Sequence, residues 1–282
     1  AILSASMEWR PFGWTGEQVA VVGQGTWKLP RGRRSVQALR LGLDLGMTHV
    51  DAAEMYANEE VVGEAIAGRR KEVFLASKVL PSHASRTGTR NACEQSLRRL
   101  GTDHLDLYLL HWRGSIPIEE TMAAMEDLVE RGLTRYIGVS NFDVHELEEA
   151  QRALTKQKIV SNQVLYHLED RGIERKLIPY CAKHGIAIVA YSPFGHDSFP
   201  GPHTPGGRLL KQIGARYGKT PHQVALRFLT RYDNVFVIPK AARTEHVIEN
   251  SGGVGWQLSK EDIALIDEAF PAPDHDVPLG MI

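Results

Sequence analysis

The sequence predicts an α/β fold, a (β/α)8 TIM barrel carrying an N-terminal β-hairpin and extra C-terminal helices. Short apolar, β-rich runs alternate with longer segments whose apolar residues recur at helical spacing, and the alternation continues from about Val19 to Ile238 without a break in composition. Eight such runs can be counted. Eight parallel strands, each followed by a helix, close into a barrel.

Strands are expected near Val22 to Thr26, Thr48 to Asp51, Val73 to Lys78, Leu105 to His111, Tyr136 to Ser140, Ser161 to Leu165, Ala187 to Tyr191 and Val235 to Pro239. Helices are expected over Val36 to Leu45, Glu59 to Ala67, Thr87 to Leu100, Ile118 to Arg131, Val144 to Leu154, Ile173 to His184, Arg208 to Tyr217 and Glu245 to Asn250. Ahead of this repeat, Trp9 to Phe12, the turn Gly13 to Gly16 and Val19 to Val21 form a hairpin pattern able to cover one barrel mouth. Thr220-Pro221-His222-Gln223 is a capping box with proline at the first helical position, so a surplus helix runs to about Arg231. Ser259 caps another, ending at Phe270, and the tail Pro271 to Ile282 is expected to wrap irregularly over a surface. Ser192 to Gly207, rich in Gly, Pro and His, is a long loop of the kind that carries function and could close over a ligand. Residues 7–282 read as one domain. Ala1 to Ser6 lack the charged start and apolar core of a secretory signal and read as an N-terminal extension.

Composition narrows the function classes. Lys+Arg number 33 against 34 Asp+Glu, a net charge of −1 that argues against nucleic-acid binding. With 43% hydrophobic residues the chain can bury a large core. The longest unbroken apolar stretch, Ile186 to Tyr191, falls far short of the roughly 18 residues a membrane span needs. Cys93 and Cys181 lie in helical patterns without C-x-x-C spacing, which favours buried thiols in a reducing cytoplasm over disulfides or zinc. The 12 histidines show no H-x-x-x-H or H-E-x-x-H pair, so no metal is expected. A monomer acting on a small molecule, with neither nucleic acid nor membrane as partner, is the expectation.

Two tempting motifs fail on spacing. Gly23-Gln24-Gly25 follows a strand but has Lys28 where a dinucleotide fingerprint needs its third glycine. Gly218-Lys219-Thr220 resembles a P-loop ending, yet Ile213 stands where the first glycine belongs, and Gly218 reads more simply as a helix C-cap.

What remains is a set of polar residues where predicted strands end, the rim that carries chemistry in barrel enzymes. Asp51 ends the second strand, Tyr56 follows it, Lys78 ends the third and His111 the fourth. Each alone has an ordinary structural reading, as capping carboxylate, rim phenol, solvated amine or packed imidazole. Converging on one mouth, they suit protonation of an alkoxide. A phenol titrates near 10, so the Lys78 ammonium is expected to lower the Tyr56 pKa, Asp51 to keep Lys78 in place and charged, and His111 to orient a carbonyl oxygen. Trp27, Met55 and Trp112, with Phe194 and His196, would wall the pocket. Arg113 could favour anionic substrates or be a solvated rim charge.

The segment from Gly46 to Tyr56 with Asn58 to Gly63, then Leu105 to Trp112, then Gly138 to Phe142, resembles the ordered signatures of the aldo-keto reductases, and within them bacterial short-chain reductases of methylglyoxal and other reactive aldehydes. The resemblance runs from about Gly25 to Asn250. It implies that Asp51, Tyr56, Lys78 and His111 form the catalytic tetrad with Tyr56 as general acid, and that Trp27, Met55, Tyr56, His111 and Trp112 meet the substrate.

It also implies an extended NADPH bound without a Rossmann fold. Gly25, Thr26 and Trp27 match the first cofactor-contact strand, Asp51 joins the cofactor contacts, Ser140, Asn141 and Gln163 match the residues that hold the carboxamide, Tyr191 the ring that stacks on the nicotinamide, and Ser192, Pro193 and Phe194 continue the pyrophosphate loop. Lys240, Ala241, Ala242, Arg243, His246, Glu249 and Asn250 match the adenosine end, where a barrel helix N-terminus suits phosphate. Ala241 and His246 stand where many relatives have Ser or Thr and Arg, and a neutral imidazole grips phosphate less firmly than a guanidinium. NADPH is therefore expected with reduced discrimination against NADH. Two rivals are a non-catalytic cofactor-binding regulatory or structural barrel, and Schiff-base aldolase chemistry through a neutral Lys78.

Overall fold

The computed structural model describes residues 7–282, so the N-terminal extension at Ala1 to Ser6 lies outside the described residues. β1 (Trp9–Pro11) and β2 (Gln18–Ala20) form an antiparallel hairpin around a 3-10 turn at Gly13–Thr15. Then follow β3 (Gln24–Gly25), α1 (Arg33–Asp44), β4 (His49–Asp51), α2 (Glu59–Ile66), β5 (Phe74–Val79), α3 (Arg86–Leu100), β6 (Leu105–Leu110) and α4 (Ile118–Glu130). The second half comprises β7 (Thr134–Ser140), α5 (Val144–Ala153), β8 (Ser161–Leu165), α6 (Leu177–Lys183), β9 (Ala187–Tyr191), α7 (Pro205–Tyr217), α8 (Pro221–Leu229), β10 (Val235–Val237), α9 (Thr244–Ser251) and α10 (Lys260–Ala269). Strands β3 to β10 pair in chain order, all parallel. A parallel bridge between Val22 and Val237, with the Gly23 N–H donating to the Val237 carbonyl at 2.8 Å, closes the seam.

The caps act as anticipated. Thr220 and Gln223 form a reciprocal capping box with Pro221 in the first turn, Ser259 accepts from the Asp262 N–H, and Gly218 ends α7 in the left-handed region at φ +67°. Three details differ. The single helix expected over Ile173 to His184 is a 3-10 turn at Gly172–Glu174 followed by α6, because the Pro179 ring would collide with the Arg175 carbonyl in one continuous helix. The surplus helix after the seventh barrel strand is α7, whereas α8 packs against β10 and fills the repeat position. The last strand stops at Val237, short of Pro239, which has no N–H to offer the ladder. The tail does wrap the surface, held by Asp276 to Arg175 at 2.8 Å and to Lys176 at 2.5 Å.

Alternation along the strands creates the active end. Side chains two apart share a face, so the rows that fill the barrel floor continue upward into its mouth: Phe74 and Ala76 lead to Lys78, Leu107 and Leu109 to His111, Ala187 and Val189 to Tyr191, and His49 to Asp51. Leu75, Val79, Leu110, Ile188 and Ala190 belong instead to the larger core beneath the helices. The hairpin delivers the fully buried Phe12 into the opposite mouth, 4.9 Å from Phe74 and 5.1 Å from Phe236 between ring centroids.

His49 lies in this floor with neither ring nitrogen hydrogen-bonded among the described residues, edge-on to Phe12 and Phe74. Burial pulls its pKa down to about 4, with Asp51 opposing. An unfolded histidine takes up its proton near 6.5, so the stability His49 contributes as a neutral ring is complete above that pH and drains away as the pH falls towards about 4. Urea unfolding free energies from pH 7.5 to 4 are expected to decline over this window, with a weaker decline in His49→Phe. Equal slopes for the two proteins would refute the assignment. Both cysteines are free and buried, and burial pushes the Cys93 thiol up to about 12 and raises Cys181 as well.

Candidate active site

The four rim residues meet. The Lys78 ammonium donates all three of its protons: to Asp51 Oδ2 at 2.6 Å, the Ala52 carbonyl at 3.0 Å and the Tyr56 phenol oxygen at 3.0 Å. Because Tyr56 accepts here, its own O–H remains to be donated elsewhere. Asp51 is fixed on its other side, where Oδ1 accepts from Gln163 Nε2 at 2.8 Å. The His111 ring stands 5.6 Å from the Tyr56 ring at 80°. Its Nδ1 is buried without a partner among the described residues, which leaves Nε2 as the nitrogen open to the cavity.

Burial sets the charge states. It works against the Lys78 ammonium, but Asp51 and Tyr56 outweigh it and the pKa is raised, so the amine stays protonated. That excludes the neutral amine Schiff-base chemistry requires. Burial and then Lys78 hold His111 down at about 3, a neutral imidazole able to donate a hydrogen bond. For Tyr56 the expectation from sequence is corrected: Lys78 does pull the phenol down, but burial pushes it up harder and its pKa is raised. The phenol therefore keeps its proton throughout the neutral range.

Around this centre opens a cavity of about 540 Å3. Its walls include Gly25, Thr26, Trp27, Met55, Trp112, Ser140, Asn141, Gln163, Tyr191, Ser192, Pro193, Phe194 and Lys240, all anticipated as cofactor or substrate contacts. The polar ones are wired together. The Ser140 hydroxyl donates to the Gln163 carbonyl at 2.8 Å, Asn141 Nδ2 donates to the His111 carbonyl at 3.1 Å, and the Tyr191 phenol donates to Asn141 Oδ1 at 2.7 Å. Trp27 stacks on His196 with centroids 5.5 Å apart. Phe194 and Phe199 pack on His222 of α8, pinning the loop between Ser192 and Thr204 on that helix.

Ala241, Ala242, Arg243, His246, Glu249 and Asn250 lie outside this cavity, before and along α9. The first intrahelical bond there runs from the Val247 N–H to the Arg243 carbonyl, so the N–H groups of Thr244, Glu245 and His246 precede it, beside the exposed side chains of Lys240, Arg243 and His246. Free N–H groups and cationic side chains at a helix start form an anion-binding donor set. A channel-like cavity leading from a buried polar centre towards such a set fits an extended phosphate-bearing cofactor. Gly25 borders that path, and a Cβ there would come within 2.5 Å of the Ile238 carbonyl.

Sequence reasoning missed Lys28, Asp197, Met281 and Ile282 among the lining residues. The last two carry no local signal, since only the course of the tail brings them to the mouth. Arg113 is not aimed at the cavity: it pairs with Glu149 at 2.5 Å, and Glu149 also holds His145 at 2.7 Å. Arg113→Ala should leave kcat and KM within about twofold of the parent, as expected when a partly exposed ion pair is lost. A tenfold or larger rise in KM for an anionic carbonyl would reverse that reading.

Comparison with known proteins agrees with the geometry. The profile of the Aldo/keto reductase family matches residues 21–270. Methylglyoxal reductase YeaE of Escherichia coli is 42% identical over 93% of this chain and 94% of its own length. Glyoxal reductase of Bacillus subtilis is 35% identical over 89% of each. A crystal structure of an aldo-keto reductase from Klebsiella pneumoniae in complex with NADPH superposes with a TM-score of 0.91 at 41% identity, covering 98% of this chain and all of that one.

Proposed function

The chain belongs to the aldo/keto reductase family, and from that membership and the site geometry we propose that it reduces small reactive aldehydes and ketones, methylglyoxal and glyoxal among them, to alcohols with NADPH. The observation that carries this reading is the direction of one hydrogen bond: Lys78 donates to Tyr56, so the phenol proton is free to pass to a substrate. NADPH, when bound, supplies the hydride that becomes the new C–H bond. Gly25, Thr26, Trp27, Ser140, Asn141, Gln163, Tyr191 and Ser192 to Phe194 would hold its nicotinamide half, and Lys240, Arg243 and His246 at the start of α9 its phosphates.

His111 Nε2 donates to the carbonyl oxygen and fixes which face of the carbon is presented. As negative charge grows on that oxygen, Tyr56 passes its proton across, because a forming alkoxide is more basic than a phenolate. The phenolate left behind sits against the Lys78 ammonium, itself held by Asp51, until solvent returns a proton. Trp27, Met55 and Trp112 restrict the space beside the carbonyl and favour small substrates.

The test is NADPH oxidation, followed by absorbance, over a panel of small aldehydes with methylglyoxal and glyoxal, repeated with NADH. Turnover of the dicarbonyls, faster with NADPH, is expected. Tight NADPH binding without turnover of any carbonyl would instead favour a cofactor-sensing role. Comparable efficiency with NADH would support the weakened phosphate grip expected from Ala241 and His246.

A further inference from the structure

Tyr56 closes a short 3-10 turn, Glu54–Tyr56, and the next residue is held in an unusual backbone state: Ala57 has φ +56°, a left-handed conformation that non-glycine residues adopt at a cost. Such strain persists only where neighbours over-determine it. Two side chains do so. Arg31 Nε and Nη2 both donate to the Ala57 carbonyl, at 2.9 and 2.5 Å. Asn58, almost fully buried, donates from Nδ2 to the carbonyls of Thr26 at 2.7 Å and Leu29 at 3.1 Å. Its Oδ1 has no partner among the described residues, so the side chain acts through its donor end alone. The Thr26 hydroxyl completes the seam by donating to the Asp51 carbonyl at 2.7 Å. On the far side of the turn, Glu54 Oε1 accepts from the Leu80 N–H at 2.7 Å and sits 2.9 Å from His83 Nδ1.

We propose that Arg31 and Asn58 are positioning residues that hold Ala57 in its left-handed state and thereby fix the Tyr56 phenol against Lys78, in register with the loop that carries Trp27. The proposal rests on Tyr56 as proton donor. It follows from the placing of the contacts: the clamp grips the residues immediately after Tyr56, while among the described residues the phenol hydroxyl itself is held by Lys78 alone. If Ala57 relaxes to an ordinary conformation, the turn opens and the 3.0 Å contact to Lys78 is lost.

Arg31 is exposed, so Arg31→Met should fold. With methylglyoxal as substrate, its kcat is expected to fall about tenfold, less than the roughly hundredfold that a 1 Å displacement can cost. NADPH affinity, read by tryptophan fluorescence, should stay within about twofold, because the pyrophosphate and adenosine contacts lie elsewhere. Amide exchange across Glu54 to Asn58 should quicken. Glycine occupies the left-handed region without the alanine penalty, so adding Ala57→Gly to Arg31→Met should recover about fivefold in kcat and slow the exchange again. Asn58→Ala, which also releases the Thr26 carbonyl, should lose kcat at least as strongly and lower the melting temperature. If Tyr56→Phe is inactive and Arg31→Met keeps the parent kcat, the clamp is refuted. Loss of kcat with equally weakened NADPH binding and no rescue by Ala57→Gly refutes it too, as general structural damage. If Tyr56→Phe itself retains turnover, the proton-donor reading falls first.

Discussion

Replacing Tyr56 by phenylalanine is expected to lower kcat for carbonyl reduction by about 10²–10⁴-fold, the range spanned by loss of a positioned general acid, while NADPH still binds. The ring remains to pack against His111, and the lost atom is the one that accepts from Lys78 and donates onward. The pH dependence gives a second signature. With its pKa raised by burial, Tyr56 is fully protonated at neutral pH, so reduction by the parent should be level there and decline only in strongly alkaline solution. Alcohol oxidation needs the phenolate, so its rate should climb with pH over the same span. Steady-state kinetics in both directions, with NADPH affinity measured separately, check this. A Tyr56→Phe protein within tenfold of the parent would transfer the proton-donor role to another group.

Lys78→Met is expected to damage both fold and rate. Lys78 and Asp51 are buried together, their side chains 0% and 1% exposed. Removing one partner of such a pair leaves an uncompensated charge and typically costs about 3–5 kcal/mol. Gln163 still donates to Asp51 Oδ1 and softens the loss without replacing the ammonium. Urea unfolding should show the destabilisation, and the double variant Asp51→Asn, Lys78→Met should recover part of it, since no buried charge then remains. Neither variant should reduce carbonyls at more than a small fraction of the parent rate, because a phenolate formed at Tyr56 would face no cation. A single variant as stable as the parent would mean that Asp51 becomes protonated at no detectable cost.

Much of this was legible because periodicity and chemistry coincide. The alternation that marks Phe74, Ala76 and Lys78 as one inward row is visible in the sequence, as is the placing of Asp51, Lys78 and His111 at strand ends. Thr220, Ser259 and Gly218 carry their cap signals in their own side chains or lack of one. What the sequence conceals is set by distance through space. The direction of the Tyr56 pKa depends on how much apolar protein surrounds the phenol, and a nearby ammonium alone points the wrong way. Exchange of roles between α7 and α8 depends on which of two similar helices reaches β10. Arg31 looks like any polar loop residue, and Asn58 belongs to a signature whose physical role stays hidden, until the folded chain shows the carbonyls they hold.

The two cysteines have a bearing on the proposed chemistry that their isolation from the site conceals. Reactive aldehydes are electrophiles, and accessible thiolates add to them as hemithioacetals. An enzyme turning over such compounds works in a medium that attacks its own nucleophiles. Cys93 and Cys181 are both enclosed, and their thiols stay protonated at neutral pH, so neither offers the thiolate that addition requires. Lys78, the buried amine at the centre of the site, is masked in the same way by its charge and its three hydrogen bonds. The two thiols and the Lys78 amine are thus withheld from an electrophile entering the cavity, which meets exposed amines only at Lys28 and Lys240 among the described lining residues.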